Sequence, residues 1–178
     1  MFLIPGFLIA LITFPGVIVH EIAHRFFCDL MKVPVYDVCY IRVGNPAGYV
    51  VHGPVDKLSS AFLISVGPFI VNTLLCSLIA VSSVVPTYVL GDSVTNSGWH
   101  MFLMYIAISI GMHAFPSKED LNNFHEQVKR AKGFSPLLIF SHIVGAIFFV
   151  ARLLSFVWFD LIYAFLVATI LPLLILGI

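Results

Sequence analysis

Long apolar stretches separated by short polar connections make up most of this chain. A helix that crosses a lipid bilayer needs about 20 predominantly apolar residues. Stretches near or above this length predict membrane-spanning helices at 3–30, 59–85, 99–115, 136–155 and 157–177. The pattern predicts an all-α, polytopic membrane protein that forms one domain over residues 1–178. The first stretch has no basic residues before it, so we interpret it as a membrane helix and not as a cleaved signal.

Two of the connections follow other patterns. Residues 33–52 are rich in valine and tyrosine, which favour strands, and carry the turn signal GNPAG. They predict a β-hairpin after the first helix. Residues 117–132 repeat apolar side chains at helical spacing, with Leu121, Phe124 and Val128 on one face. This second connection therefore predicts an amphipathic helix.

The composition agrees with a membrane protein. Hydrophobic residues make up 60% of the chain and charged residues 10%, whereas a soluble domain has about 25% charged residues. Lysine plus arginine and aspartate plus glutamate both number 9, so no excess of positive charge indicates a nucleic-acid partner. The three cysteines lack CxxC spacing, which argues against a disulfide framework. The expected surroundings are a lipid bilayer.

Basic residues are distributed unevenly among the connections. Those at the first and third connections are Arg25, Lys32, Arg42, Lys57, Lys118, Lys129, Arg130 and Lys132. The connection 86–98 contains neither lysine nor arginine. Because short loops rich in lysine and arginine stay in the cytoplasm, we expect the first and third connections to be cytoplasmic and the N-terminus to be outside. Arg152 is the one basic residue that this orientation places on the other side.

The first apolar run contains three ionisable residues within GVIVHEIAH, residues 16–24. His20, Glu21 and His24 match the pattern H-E-x-x-H. Residues four apart lie on one face of a helix, so the two imidazoles can bind one metal ion. Glu21 lies about 100° further round the helix. From there its carboxylate can accept a proton from a water molecule that zinc activates.

Packing alone offers a different explanation for these residues. Two buried histidines can be hydrogen-bonded to neighbouring helices, with Glu21 paired to a base. Ionisable residues inside membrane spans are costly and usually functional. Three of them so close together favour the metal site, which then lies near the cytoplasmic end of the first span.

A catalytic zinc site needs a third protein ligand and an open position. The predicted orientation brings residues 111–124 to the side where the first span ends. This segment offers Asp120, His113 and Glu119 as ligands. We expect Asp120 to bind the metal, although Ser117-x-x-Asp120 also matches a helix capping box that needs no metal. His113 is the alternative ligand, or a partner that orients a ligand.

Further polar or helix-breaking residues occur inside the apolar runs. Pro15 and Gly16 predict a kink or break in the first span. Asn72 in the second span has two possible roles. It binds a substrate carbonyl or stabilises an oxyanion, or it joins two helices by a hydrogen bond. His142 is expected in the interior with its hydrogen bonds satisfied.

Together these motifs resemble those of the site-2 protease family of intramembrane zinc metalloproteases. The resemblance rests on GVIVHEIAH, the β-rich segment that follows it, GPFIVN at 67–72 and FPSKED at 115–120. It implies a membrane-embedded zinc ion bound by His20, His24 and Asp120. It also implies that Glu21 is the catalytic base and that Asn72 belongs to the active site.

Two features depart from the family's pattern. Asn72 follows the proline by four residues instead of three, and Asp120 lies in KEDL instead of an LDG or NPDG context. The chain thus resembles a small, divergent branch of the family. The resemblance implies hydrolysis of peptide bonds in or beside the bilayer, with a membrane protein or peptide as substrate. The hairpin can bind an extended substrate by strand addition.

Two other functions fit the same residues. One is a non-proteolytic membrane protein that keeps a metal for structure, regulation or binding. The other is a zinc hydrolase that acts on another amide or an ester, for example in a lipid. Nothing in the sequence identifies the substrate.

Overall fold

The computed structural model describes residues 5–89, 98–131 and 133–177. The helices and strands in this part of the chain are α1 (Gly6–Ile12), α2 (Phe14–Leu30), β1 (Val35–Cys39), β2 (Tyr49–His52), α3 (Leu58–Val89), α4 (Gly98–Met112), α5 (Lys118–Arg130), α6 (Pro136–Leu154) and α7 (Phe159–Leu176). A short 3₁₀ turn, Ser155–Val157, lies between α6 and α7. The protein is mostly helical, with a small antiparallel sheet.

Two helical stretches, Leu58–Val85 and Pro136–Val157, are long and apolar enough to cross a membrane. The pair α1 and α2 meets the same criteria if it is counted as one span, although it is bent by 91°. Gly98–Met112 and Phe159–Ile175 are apolar but shorter. These helices are consistent with a membrane protein. Residues 1–4, at the start of the first predicted span, and residues 90–97 lie outside the described residues.

The first predicted span is broken at Thr13, close to the kink that Pro15 and Gly16 predict. Thr13 has φ −104 and ψ 34 and ends α1. Pro15 occupies the first turn of α2, where N–H groups have no partner inside the helix, so that its missing N–H costs little. The break leaves backbone groups in the middle of an apolar run that need partners from elsewhere.

Side chains of α4 supply partners for these backbone groups. The Tyr105 hydroxyl donates to the Ile12 carbonyl at 2.6 Å, and Ser109 Oγ donates to the Thr13 carbonyl at 2.9 Å. The Gly16 N–H donates to Ser109 Oγ at 3.0 Å. A Cβ atom on Gly16 would overlap the Ser109 carbonyl oxygen, so glycine allows α2 and α4 to meet here.

Helix α3 is the central helix, and α2, α4, α5, α6 and α7 pack along it in two sets. Near its start, Ala61 and Ile64 pack with Cys28 of α2. Helices α5 and α6 also pack against this first half. Near the other end, Ser83 Oγ donates to the His100 carbonyl at the start of α4. Helices α4 and α7 cover the second half.

Helices α6 and α7 both pack on the middle of α3. Phe69 of α3 contacts Phe148 of α6 and Tyr163 of α7, so these two residues lie at the same level of α3. Between the two helices, the 3₁₀ turn is followed by Trp158, which has a left-handed φ of 65. The predicted spans 136–155 and 157–177 are therefore helical, and the chain bends between them.

The two predicted connections have the expected structures. Strands β1 and β2 pair in antiparallel fashion inside the predicted hairpin, with Val35 opposite His52 and Cys39 opposite Tyr49. The pairing register is irregular between Val35 and the next paired residue. The sheet is small because only these two short strands take part in it.

Helix α5 is the amphipathic helix that the sequence predicted. Leu121, Phe124 and Val128 are buried on one face, where Leu121 packs with Val66 of α3. Lys132, the predicted last residue, lies outside the described residues. Packing of this apolar face holds the start of α5 beside α3, and so positions Asp120.

Candidate metal centre

One side of α2 and the start of α5 converge on a compact group of metal-binding side chains. His20 Nε2 and His24 Nε2 lie 3.1 Å apart. Asp120 Oδ2 lies 3.3 Å from His24 Nε2 and 3.6 Å from His20 Nε2. The three ligand atoms all lie within 4.8 Å of one another, so the group can hold a metal ion. We call these three residues the metal centre.

The spacing of these atoms suits a tetrahedral ion. Ligand atoms about 2.0–2.2 Å from a tetrahedral metal lie about 3.3–3.6 Å apart, close to the spacings in this group. His20 and His24 are buried and Asp120 is partly buried. Two imidazole nitrogens and one carboxylate oxygen leave a fourth tetrahedral position for water or substrate.

A backbone carbonyl determines which nitrogen of His20 faces the group. His20 Nδ1 lies 2.7 Å from the His113 carbonyl oxygen. A carbonyl can only accept, so Nδ1 carries the proton and Nε2 keeps its lone pair for a metal. The segment that joins α4 to α5 thus prepares His20 as a ligand.

The His113 ring bonds to Thr13 at the break between α1 and α2 and is not part of the metal centre. Its Nε2 lies 2.8 Å from Thr13 Oγ1. The Thr13 hydroxyl donates its own proton to the Ile9 carbonyl at 2.7 Å, so it accepts from His113 Nε2. The His113 imidazole is therefore not among the grouped ligand atoms. Its backbone carbonyl, instead of its ring, orients His20.

Asp120 belongs to the metal centre and to a capping box at the same time. Its Oδ2 accepts from the Ser117 N–H at 2.9 Å, while its own N–H donates to Ser117 Oγ at 3.2 Å. The same Oδ2 faces both histidines. The two interpretations of Ser117-x-x-Asp120 are compatible, because the cap fixes the carboxylate that faces the imidazoles. Glu119, the other candidate, is exposed.

Glu21 lies beside the metal centre and against the turn of the hairpin. It is buried. A Cβ atom on Gly48 would lie 2.7 Å from Glu21 Cγ and 3.1 Å from Glu21 Oε1. The absence of a side chain at Gly48 therefore lets the hairpin turn approach this carboxylate closely.

The hairpin turn is braced by two side chains. Arg42 Nε donates to the Pro46 carbonyl at 2.9 Å, and the Arg42 guanidinium lies over the Tyr49 ring at 5.0 Å. The Tyr49 hydroxyl donates to Asp37 Oδ2 at 2.9 Å, and this hydrogen bond raises the pKa of Tyr49. These contacts hold the segment that carries Gly48 in place.

A cavity of about 660 Å³ opens onto these residues, and we call it the central cavity. The metal centre and Glu21 line it, together with parts of α1, the hairpin turn and the junctions between α4 and α5 and between α6 and α7. Small-molecule sites occupy about 300–1,000 Å³. The central cavity has the size of a site for a small ligand or a short stretch of chain.

Asn72 has the contacts of a residue that joins helices. It is completely buried, and its Nδ2 donates to the carbonyls of Ile110 at 3.1 Å and His113 at 3.0 Å, and more weakly to Gly16 at 3.5 Å. Asn72 is not among the described residues that line the central cavity. Its contacts fit the helix-joining alternative, and one of them reaches the carbonyl that orients His20.

Several polar residues at the site were not identified from the sequence. Tyr105 and Ser109, which support the break before α2, form a series spaced by four residues with His113, the residue just after α4. That spacing in an apolar helix was the available signal. The expected interior position of His142 was wrong, because the residue is exposed. Its Nδ1 is hydrogen-bonded as expected, to the Leu138 carbonyl of its own helix.

Comparison with known proteins finds no relative of this chain. No protein-family model, no curated protein and no solved structure matches the chain.

Proposed function

We propose that this protein is an intramembrane zinc metalloprotease that hydrolyses peptide bonds in or beside the bilayer. The observation that carries the proposal is the approach of Asp120 to His20 and His24, with Glu21 buried at the same cavity. These residues are far apart in the sequence, and packing alone does not require them to meet. The chemistry is that implied by the resemblance to site-2 proteases.

The ligand set favours zinc. Magnesium and calcium prefer oxygen ligands, whereas zinc commonly binds imidazole nitrogen together with carboxylate oxygen. When bound, zinc supplies a Lewis acid that polarises a carbonyl group and increases the acidity of water. The residues that would hold it are His20, His24 and Asp120.

The other residues of the site orient groups and move protons. Glu21 takes a proton from the attacking water and returns it to the amine that leaves when the peptide bond breaks. The His113 carbonyl keeps the His20 proton on Nδ1. Ser117 keeps the Asp120 carboxylate in position through the capping box. An extended substrate segment adds to an edge of the hairpin, which exposes its backbone to the cavity.

The number of crossings is part of the proposal. Helix α3 and the stretch Pro136–Val157 are each long and apolar enough to cross a membrane, and the broken pair α1 and α2 meets the same criteria as one span. We propose that the shorter apolar helices α4 and α7 supply the other two of the five predicted crossings.

The proposed orientation puts the N-terminus outside and the metal centre towards the cytoplasm. The basic residues of the first and third connections support this orientation. A break within a crossing leaves irregular backbone at membrane depth, which is tolerated only where it lines a cavity or is buried in protein. Helix α1, which ends at the break in the first span, lines the central cavity, which agrees with water reaching the site.

Zinc-dependent cleavage tests the proposal. Purified protein is stripped of metal, reloaded with zinc, and incubated in nanodiscs with apolar peptides and, separately, with lipid esters. We expect peptide cleavage that depends on zinc and is absent in His24→Ala. The matched control is His125→Ala, which removes an exposed histidine outside the cavity and should keep the activity. Zinc-dependent cleavage of the lipid ester alone, or no cleavage in a zinc-loaded protein, would contradict the proposal.

A further inference from the structure

A single arginine lies at the central cavity on an otherwise apolar helix. Arg152 belongs to the last turn of α6 and lines the cavity with Ser155 and Asp160. It is the only lysine or arginine after Lys132. A charged residue in a membrane helix is costly, and such residues usually face the protein interior or a water-filled cavity where they have a function. The proposed mechanism of hydrolysis does not use Arg152.

The arginine is available to a ligand. Within the described ranges Arg152 forms no ion pair, and its side chain is exposed. Asp160 is the other charged residue of α6 and α7. It is buried, and its Oδ1 accepts a hydrogen bond from Ser155 at 2.8 Å. The hydrogen bond with Ser155 thus holds Asp160 at the α6–α7 junction. The Arg152 guanidinium remains at the cavity.

We propose that Arg152 binds the C-terminal carboxylate of a short peptide substrate in the central cavity. A guanidinium offers a planar set of N–H donors that matches a carboxylate with two parallel hydrogen bonds. The subsite rests on the proposed function, because it places a peptide end in the cavity that also contains Glu21 and the metal centre. The substrate class is therefore apolar peptides with a free carboxyl end.

The cavity and its charges favour this ligand. Its volume of about 660 Å³ is that of a site for a small ligand, which a peptide of a few residues matches. The nearby carboxylate of Asp160 offsets part of the positive charge of Arg152 and favours a ligand with one negative charge over one with two. Lys118 also lines the cavity, but it lies beside Glu119 at the exposed start of α5.

Peptide binding without catalysis tests the subsite. The protein with Trp99→Phe retains Trp158, next to the α6–α7 junction, as its only tryptophan. It is placed in nanodiscs and stripped of metal. Its fluorescence is then titrated with N-acetyl-alanyl-leucyl-alanine, either as the free acid or as the C-terminal amide. We expect the acid to bind about ten-fold more tightly than the amide, the size of a lost charge-assisted hydrogen bond.

Variants of the arginine identify the group responsible. Arg152→Gln should remove the preference for the acid, and Arg152→Lys should keep part of it. Arg130→Gln is the matched control, because Arg130 is exposed on α5 and pairs with Glu126 away from the cavity. It should keep the full preference. Thermal unfolding of each variant checks that the fold is retained.

Three results would overturn the proposal. The first is equal binding of acid and amide by the protein that keeps Arg152, a comparison that needs no substitution at that position. The second is an unchanged preference in Arg152→Gln. The third is an arginine-dependent preference for dodecyl phosphate over dodecanol without a preference for the peptide acid, which would assign Arg152 to a lipid headgroup. Peptide binding is measured without zinc and without hydrolysis. A failure of the subsite proposal is therefore distinguishable from a failure of the proposed protease activity.

Discussion

His20 Nδ1 donates a hydrogen bond of 2.7 Å to the backbone carbonyl of His113. The same carbonyl accepts from Asn72 Nδ2 at 3.0 Å, so side chains of α2 and α3 meet at one oxygen atom just after the end of α4. This arrangement fixes the proton of His20 on the side away from Asp120. It connects the metal centre to the packing of the helices around it, and it gives Asn72 a role that requires no contact with substrate.

Asn72→Ala should weaken both the fold and the metal centre. It removes the donor shared by carbonyls of α2 and α4, and leaving buried groups unpaired costs about 1–3 kcal/mol. Zinc affinity should fall about 10-fold, the effect expected for an outer partner of a ligand. The KM of a peptide substrate should stay unchanged in zinc-saturated protein. Zinc titration, denaturant unfolding and kinetics measure these effects.

Asn122→Ala is the control for this prediction, since it removes an exposed amide from α5. It should leave the zinc affinity, the free energy of unfolding and the KM unchanged. A large increase in KM for Asn72→Ala, with unchanged zinc affinity and stability, would restore the interpretation of Asn72 as a residue that binds substrate.

Glu21→Gln should retain zinc and lose hydrolysis. The amide has nearly the shape of the carboxylate but cannot accept the proton of water. Loss of a general base lowers rates by about 10²–10⁴-fold. Zinc content and peptide cleavage are measured on the same preparation. Glu119→Gln, which changes an exposed carboxylate on the cavity wall, should cleave normally. Cleavage by Glu21→Gln at the wild-type rate would exclude Glu21 as the base.

Asp120→Asn separates metal binding from helix capping. Asparagine can still accept the hydrogen bond of the Ser117 N–H, but it is a neutral and much poorer zinc ligand. Loss of an outer partner of a ligand lowers metal affinity about 10–100-fold. We expect the zinc affinity of Asp120→Asn to fall by more than this. His113→Ala should lose less, since its carbonyl remains. Zinc dissociation constants in detergent, with circular dichroism as a check of folding, test this.

The control for capping is Ser117→Ala, which removes the hydroxyl of the capping box and keeps the carboxylate. Its zinc affinity should exceed that of Asp120→Asn. Full zinc retention in Asp120→Asn combined with loss in His113→Ala would transfer the third ligand to His113.

Five crossings predict that the N-terminus lies outside and the C-terminal end of α7 in the cytoplasm. Cysteines introduced at Lys57 and Lys129 should be protected from an impermeant reagent, and one at Asp92, outside the described residues, should react. A cysteine at Gly177, after α7, should be protected. Reaction at Gly177 together with protection at Lys57 and Lys129 would contradict the fifth crossing, and the opposite pattern at all positions would invert the orientation. Labelling of intact and of lysed cells makes the comparison.

Local patterns in the sequence were sufficient for the elements that depend on spacing. The four-residue interval between His20 and His24 places both rings on one helix face wherever the helix packs. The valine-rich hairpin and the apolar face of α5 are encoded in the same way, and both are present.

Features set by long-range packing were not predicted. The packing of α7 on α3 depends on contacts such as that of Tyr163 with Thr73, which no pattern inside 157–177 encodes. The orientation of the His113 ring depends on Thr13, 100 residues earlier in the chain. Hydropathy indicates that a segment is apolar, but not which neighbour it packs against or in which direction.

The metal content of the purified protein tests the central claim most directly. Wild-type protein, His20→Ala and the exposed-site control His125→Ala are purified without added chelator, and zinc is measured by mass spectrometry against protein concentration. We expect one zinc per chain in the wild type and in His125→Ala, and almost none in folded His20→Ala. Equal zinc in all three proteins, or none in a wild type supplied with zinc, would show that His20, His24 and Asp120 do not form a zinc site.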